Sequence, residues 1–349
     1  MKLIITRHGQ TEGNKRNILQ GSIDIPLSKE GKEQVKKLAL RLKEHKIEYI
    51  YTSPLKRALE TANAIKKYHP NAKLVIENEL KEMNFGIFEG LTKEEITAKY
   101  KKYSEERERN KFYYKIPNGE SYEEVELRVL KVLNKIINSG KDTIIVAHAT
   151  VNKLFFMKLL NKGLEEINKN LYNNTSVSTF NIDKDKVLVE EFNCDRHLRE
   201  YRKNTEGYFF DNKKNILAYD SGKGYLIFPG GGVENEMPEE AMKREVLEET
   251  GAIVEIEKNL GIKKFDYDEN WAKTERQIER YEQFQGEEMH FFTGKIEKFT
   301  KINKKEDSWK GEKLMPLNNV IEIIEKDKEN EFRKVQLKFL KNLQNSKNI

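Results

Sequence analysis

Two histidines stand directly behind short apolar runs: His8 closes KLIITRH and His148 closes TIIVAH. A neutral imidazole nitrogen facing phosphorus can act as a nucleophile, and arginines beside it can bind a phosphoryl group through charge-assisted, bidentate hydrogen bonds. Arg7 immediately precedes His8, and Arg57 follows another such run in EYIYTSPLKRALET. Glu82, within ELKEMNFGIFEG, could supply the proton to a leaving oxygen. Taken singly, either histidine reads as an ordinary strand-end residue and each arginine as a surface charge. Together they converge by topology, because ligands of an open α/β sheet sit at the carboxyl ends of its strands. Flanking cations lower an imidazole pKa, so His8 is expected to be neutral near pH 7, and His148 gains from a proton once a dianionic phosphate arrives.

A second concentration of reactive groups lies in GGGVENEMPEEAMKREVLEETGA, from Gly230 to Ala252. On a helix Glu245, Glu248 and Glu249 fall at i, i+3 and i+4, so three carboxylates share one face and repel one another. A hard divalent cation such as Mg²⁺ removes that repulsion and can bridge the carboxylates to substrate phosphates. The plain alternative is an exposed acidic face balanced by Lys243 and Arg244. The glycine-rich turn, with Glu236 six residues after Gly230, favours the metal.

The elements that must carry these groups follow from hydrophobic pattern. Residues 2–6, 48–52 and 142–147 are short β-rich runs, and apolar residues at three and four spacing mark helices near 30–45, 55–68, 121–138 and 150–160. This alternation predicts a mainly parallel sheet covered on both faces. Ser176 to Ile182 and Lys186 to Phe192, joined by Asp183, Lys184 and Asp185, predict an edge hairpin. Around residues 196–206 the pattern turns polar and then restarts as strands in GYFFD, NILAYD and YLIFP. Domains are therefore expected over 1–198 and 203–349. In the second, the spacing predicts a helix over 238–250 stopped by Gly251, strands at 253–257 and 289–296, and an amphipathic helix over the last 30 residues, with Phe332, Val335, Phe339, Leu340 and Leu343 on one stripe.

Composition bounds what such a chain does. A length of 349 residues argues for two domains, and a mean hydropathy of −0.80 without a long apolar run excludes a helical membrane span. The N-terminus lacks the apolar stretch of a signal peptide, so a cytoplasmic location is expected. The single Cys194 allows no intrachain disulfide and no thiolate zinc cluster. The net charge of +6 is uneven: residues 1–200 hold 37 Lys+Arg against 29 Asp+Glu, and residues 201–349 hold 27 against 29. With no uninterrupted basic block, this favours pockets for small phosphates over polymeric nucleic acid.

RHGQTEGN, LSKEGKEQ, TSPLKRALET, ELKEMNFGIFEG, VAHA and FNCDRHL, in that order, make residues 1–198 resemble the histidine phosphatase superfamily, the phosphoglycerate-mutase-like group. The resemblance implies a three-layer α/β/α fold, phosphorylation of His8, a phosphoryl cradle of Arg7, Arg57 and His148, Glu82 as acid/base, Asn14 as a phosphate contact, and no metal. Gly13 stands where many members have Trp, and Ala149 where Gly is common. Gly13 and Gln10-Thr11 look more like the broad phosphatases than the glycolytic mutases, which makes hydrolysis the expectation and mutase transfer its alternative.

Residues 203–349 resemble the Nudix hydrolases through Gly230, Glu236 and the REVLEETG run, with either Gly230 or Gly231 able to fill the first-glycine position. That resemblance implies an α/β/α domain with a mixed sheet and Mg²⁺-dependent hydrolysis of nucleoside diphosphate-linked substrates. Glu248 and Glu249 would be the main metal ligands, Glu245 a further ligand or base, and Arg244 an orienting partner. Ala252 replaces a bulkier aliphatic residue, and Glu287 or Glu288 in GEEMHFF could add a carboxylate. Tyr267, 16 residues after Gly251, resembles a tyrosine of some dinucleoside-polyphosphate hydrolases, and equally reads as an ordinary strand aromatic. The expected whole is a bifunctional hydrolase acting on small phosphorylated metabolites and nucleotide derivatives. The competing expectation is a phosphatase regulated by a Nudix-like nucleotide sensor.

Overall fold

In the computed structural model, which describes residues 1–168, 172–184, 186–220, 226–267, 271–300, 313–327 and 330–345, the chain separates into two units, Met1–Leu198 and Arg199–Ile349. The first unit is built on strands β1 (Lys2–Arg7), β2 (Tyr49–Thr52), β3 (Lys73–Ile76), β4 (Thr143–Ala147), β5 (Val177–Asp183) and β6 (Lys186–Cys194), in the order β3-β2-β4-β1-β5-β6. β1 to β4 pair in parallel, and β5 with β6 forms the antiparallel edge hairpin that alternation predicts. Asp185 of its turn lies outside the described residues.

The helices are α1 (Glu12–Lys15), α2 (Lys29–Leu42), α3 (Lys56–Lys66), α4 (Lys93–Lys99), α5 (Lys101–Arg109), α6 (Tyr122–Ser139), α7 (Ala149–Leu160) and α8 (Leu164–Asn168). Successive strand side chains point to opposite faces, and each face has its own helices. Leu3 and Ile5 pack in a core with Val129 and Leu133 of α6 and Leu154 and Phe155 of α7. Ile4 packs in another with Leu38 and Leu42 of α2 and Ala58 and Ile65 of α3. The expected three-layer α/β/α arrangement results. Strand β3 is not anticipated by the apolar runs, because KLVI is an edge strand with no fully buried residue.

The second unit contains β7 (Tyr201–Phe210), β8 (Asn215–Leu217), β9 (Tyr219–Asp220), β10 (Leu226–Ile227), β11 (Ala252–Asp266), β12 (Gly286–Phe299) and β13 (Leu314–Pro316). Its mixed sheet has the order β11-β12-β7-β8-β13, with β12 and β7 parallel, while β9 and β10 form a separate pair. Its helices are α9 (Pro238–Thr250), α10 (Glu275–Gln283), α11 (Leu317–Glu325) and α12 (Glu331–Asn345). Phe209 and Phe292 face Met242 and Val246 of α9, whereas Tyr208, Phe210 and Phe291 face Val320, Ile324, Leu340 and Leu343 of α11 and α12. Gly251 ends α9 in the left-handed conformation, φ 74°, which costs glycine no Cβ clash.

Three sequence expectations are corrected here. β7 starts at Tyr201, inside the stretch read as polar, because its pairing with Gly286 onward holds residues such as Arg202 and Lys203 in strand. β11 continues far past residue 257, its alternation masked by register shifts and by Gly261 at φ 121°. The last 30 residues form two helices, not one: Lys326 and Asp327 close α11, and Asn330 Oδ1 accepts from the first amides of α12.

Candidate active sites

Parallel pairing brings the first site together. Arg7 and Ala147 are the last registered pair of β1 and β4, so the next residues, His8 and His148, emerge side by side. The His8 amide donates to Ala147 O (3.1 Å), and the two rings lie 5.1 Å apart, centroid to centroid. Arg57 sits in the first turn of α3, just after β2, and Glu82 follows β3 through the short turn Asn78–Leu80. Neighbouring strands thus deliver each reacting group from the carboxyl edge of the sheet.

The loop after β1 is held from several sides. Gly9 N–H donates to Thr61 Oγ1 (3.1 Å) in α3, and Ser28 N–H donates to Gln10 O (2.9 Å) while its Oγ caps Gly31 N–H (3.0 Å) at the start of α2. A Cβ on Gly31 would lie 2.0 Å from Gln10 O, so this approach excludes any other residue. These bonds give LSKEG and RALET their structural roles.

His8 is 3% exposed, and its Nδ1 lies 2.7 Å from Gly9 O. A carbonyl only accepts, so Nδ1 carries the hydrogen and the Nε2 lone pair remains available for attack. Burial first, then the charges of Arg57 and Arg7, hold His8 well below the ordinary histidine range. Burial likewise lowers His148, with Arg57, His8 and Arg7 adding to it. The guanidiniums are oriented by carbonyls: Arg57 donates to Ile23 O and Gly21 O (both 2.8 Å), and Arg7 to Tyr172 O (2.6 Å). Arg7 Nε, Arg57 Nε and both ring nitrogens of His148 are buried without a hydrogen-bond partner among the described residues. Buried donors of this kind fit an anion. The Glu82 carboxyl group accepts from Met83 N (2.8 Å) and from Thr150 N (3.3 Å) in the first turn of α7.

Asn14 Oδ1 accepts from Thr11 N (3.0 Å), which leaves the Asn14 amide N–H₂ edge to donate to a ligand. Sequence reading missed Asn174, whose Nδ2 donates to His8 O (2.9 Å) and Asn14 Oδ1 (3.3 Å). The turn-like YNNTS before β5 was its only signal. Beside Glu82 the field is basic. Lys153, lying 5.4 Å from the Tyr172 ring, is lowered to about 8 by burial first and then by Lys111, Arg7 and Arg107.

The second site surrounds α9. Gly230 N–H donates to Glu249 Oε2 (3.1 Å), and Glu249 is pushed up to about 7, chiefly by burial, with repulsion from Glu245 and Glu248 adding to it. A Cβ on Gly231 would lie 2.2 Å from the Glu245 carboxyl carbon, so both glycines serve the carboxylates. Arg244 spans Glu236 (2.7 Å), Glu245 (2.8 Å), Glu248 (3.2 Å) and Gly232 O (2.9 Å), tying helix to loop. Glu245, Glu249 and Glu287 line one cavity of about 390 Å³. Glu248 is more exposed and turns to Arg244, while Glu288 pairs with Lys264 and His290 (both 3.1 Å) and does not line that cavity. The oxygen donors suit a hard cation such as Mg²⁺. Among the described residues, however, no three acidic or imidazole groups converge as a ready metal cluster.

Comparison with known proteins decides the family. The Histidine phosphatase superfamily (branch 1) matches residues 3–195. The chain belongs to that superfamily. A NUDIX domain matches residues 201–340, so a histidine phosphatase domain is followed by a Nudix domain, the fusion that the motifs implied. Phosphoglycerate mutase-like protein 4 of Arabidopsis thaliana is 30% identical over 208 residues, 57% of this chain and 87% of its own length. Phosphoserine phosphatase 1 of Hydrogenobacter thermophilus is 29% identical over 207 residues, 58% of this chain and 96% of its own length. The solved structure of Bacillus stearothermophilus YhfR superposes with a TM-score of 0.53 at 28% identity, covering 56% of this chain and 98% of that one. The two domains, together with relatives named as phosphatases, make the chain a hydrolase, and Nudix domains generally use divalent metal ions. Among the described residues no helix is long and apolar enough to cross a membrane.

Proposed function

We propose that the histidine phosphatase domain hydrolyses small phosphomonoesters through a phosphohistidine. The observation that carries this is the His8 Nδ1 bond to Gly9 O at 2.7 Å, which leaves the Nε2 lone pair free in a buried cluster where Arg7 Nε, Arg57 Nε and the His148 ring nitrogens have no hydrogen-bond partner among the described residues. His8 Nε2 attacks phosphorus while the bond to the leaving oxygen breaks, and Glu82 gives that oxygen its proton. Water then attacks the phosphoryl group, Glu82 takes the water's proton, and the N–P bond breaks to release phosphate. Arg7, Arg57 and His148 hold the equatorial oxygens throughout. The basic surroundings of Lys153 suit a substrate carrying a second negative group, as the relative named phosphoserine phosphatase does in its name. Mass spectrometry after a rapid alkaline quench tests the step. A phosphoryl adduct on His8, absent from His8→Ala, is expected, and unimpaired turnover by His8→Ala would overturn it.

For the Nudix domain we propose Mg²⁺-dependent hydrolysis of nucleoside diphosphate-linked substrates in the cytoplasm. Glu245, Glu248 and Glu249 would hold the ion, which when bound neutralises their repulsion and polarises the diphosphate. Gly230 N–H fixes Glu249, and Arg244 holds the helix against the glycine loop. A second reading, a nucleotide sensor, is favoured by the pairing of Glu245 and Glu248 with Arg244 in place of a three-carboxylate cluster.

Cleaving a nucleoside diphosphate linked to another group leaves a phosphomonoester, which the His8 site would accept, so the two domains act in sequence. A small product diffuses freely, and tethering therefore gives little channelling. Wild type should release free phosphate from such a substrate while His8→Ala stops at the monophosphate; if both stop there, the sequence of steps fails for that substrate.

A further inference from the structure

Glu245 and Glu249 enter the Nudix cavity from α9 and the buried Glu206 lines it from β7, whereas Arg202 enters from β7 and Arg276 and Arg280 from α10. Arg276 and Arg280 lie one helical turn apart on the same face. Glu287 is the carboxylate among the three guanidiniums: Arg202 and Arg280 each approach its Oε1 at 3.8 Å, and Tyr267 OH donates to the same atom at 3.0 Å. At 3.8 Å those contacts are ion pairs without a good hydrogen bond, and although Arg202 Nη1 donates to Asn204 Oδ1, neither contact consumes the forks of Arg276 and Arg280. No carboxylate pairs with Arg276 among the described residues. Among the described residues Glu287 is the one carboxylate in an ion pair with these guanidiniums, and burial plus the proximity of Arg202 and Arg276 lowers Arg280. A second cavity of about 420 Å³ adjoins the first, sharing Arg202, Gly232, Glu245 and Arg276 with it. The arginines therefore stand where an extended substrate would pass from one cavity to the other.

A solvated surface network would account for exposed arginines on a polar helix. It does not account for their convergence with Arg202, whose guanidinium packs where a Cβ on Gly232 would lie 2.3 Å away. From this geometry we infer that Arg202, Arg276 and Arg280 form the recognition site for a phosphate beyond the scissile diphosphate, so that the Nudix domain selects substrates with three or more contiguous phosphates. The inference rests on the proposed diphosphate chemistry for its position, and it names the substrate class.

The full chain carrying Arg276→Gln with Arg280→Gln tests it. Calorimetric titration at saturating Mg²⁺, with excess orthophosphate present to occupy the His8 site, compares the Mg²⁺ complexes of inorganic tripolyphosphate and pyrophosphate. Wild type should bind tripolyphosphate more tightly, and the double variant should lose roughly tenfold or more in tripolyphosphate affinity while pyrophosphate affinity changes little. Arg276→Lys with Arg280→Lys should recover part of the loss, which a merely structural defect would not allow. Equal affinity of wild type for the two anions, or equal loss of both in the Gln variant, would overturn the inference. Because the titration needs no turnover, absence of any Mg²⁺-dependent hydrolysis would sink the hydrolase reading and leave this selectivity standing.

Discussion

Glu206 offers the most quantitative test of the Nudix domain's electrostatics. Its carboxyl is buried between β7 and α12, accepting from Tyr208 OH (2.7 Å) and from Gln336 Nε2 (2.9 Å to each oxygen). Burial pushes it up from 4.5 to about 7, against the opposing effects of those hydrogen bonds and of Arg333. An acid whose folded pKa is raised binds its proton more tightly in the folded state. Stability is therefore highest below the unfolded value and falls as pH rises, at up to about 1.4 kcal/mol per unit, until the folded value is passed. Over the window from about 4.5 to about 7 the loss amounts to about 3 kcal/mol. Glu206→Gln has no charge to desolvate and should escape it. Trp271 and Trp309, the chain's two tryptophans, both fall within Arg199–Ile349, so urea unfolding followed by their fluorescence reads this unit in the full chain. The stability difference between variant and wild type should move by about 3 kcal/mol in the variant's favour between pH 4.5 and pH 8. A difference that stays flat with pH would mean that Glu206 ionises as easily folded as unfolded, contrary to its burial.

Further predictions concern the phosphatase domain. In ¹⁵N NMR titrations His8 should stay neutral as pH falls through 6.5, since burial and two guanidiniums oppose its protonation, and a midpoint at or above 6.5 would contradict this. Asn174→Ala should lower kcat/KM for monoesters by about tenfold, the worth of the hydrogen bonds that hold His8 O and Asn14, with the circular dichroism unchanged. Glu82→Gln should slow alkyl phosphate hydrolysis far more than p-nitrophenyl phosphate hydrolysis, whose leaving group needs no proton, and equal slowing would remove Glu82 as the acid. Gly31→Ala should cost both folding and activity, because its Cβ would lie 2.0 Å from Gln10 O.

How much was legible follows from which signals are local. His8 and His148 could be placed together from sequence because each closes a buried strand, and parallel pairing aligns strand ends. Their flanking phosphate ligands followed from motif order. The Nudix carboxylates were legible as a helical face, with Arg244 as a partner implied by the family resemblance, but which of them line the cavity was not, since periodicity gives a direction and not a place in the cavity. The arginine wall escaped notice for a related reason: on α10, Arg276 and Arg280 look like an ordinary solvated face, and only β7 brings Arg202 beside them. Edge strand β3 and the outer half of β11 were missed because neither buries a continuous apolar run.

We propose that one chain carries two chemically independent phosphate-cleaving sites, a metal-free one at His8 and a carboxylate-metal one at Glu245, Glu248 and Glu249. The most direct measurement follows both activities in a single preparation with and without EDTA, for wild type, His8→Ala, and Glu248→Gln with Glu249→Gln. EDTA and the double Gln variant should abolish diphosphate cleavage while leaving monoester hydrolysis intact, and His8→Ala should do the reverse. Loss of both activities together under EDTA, or survival of monoester hydrolysis in His8→Ala, would show that the two sites are not independent in this way.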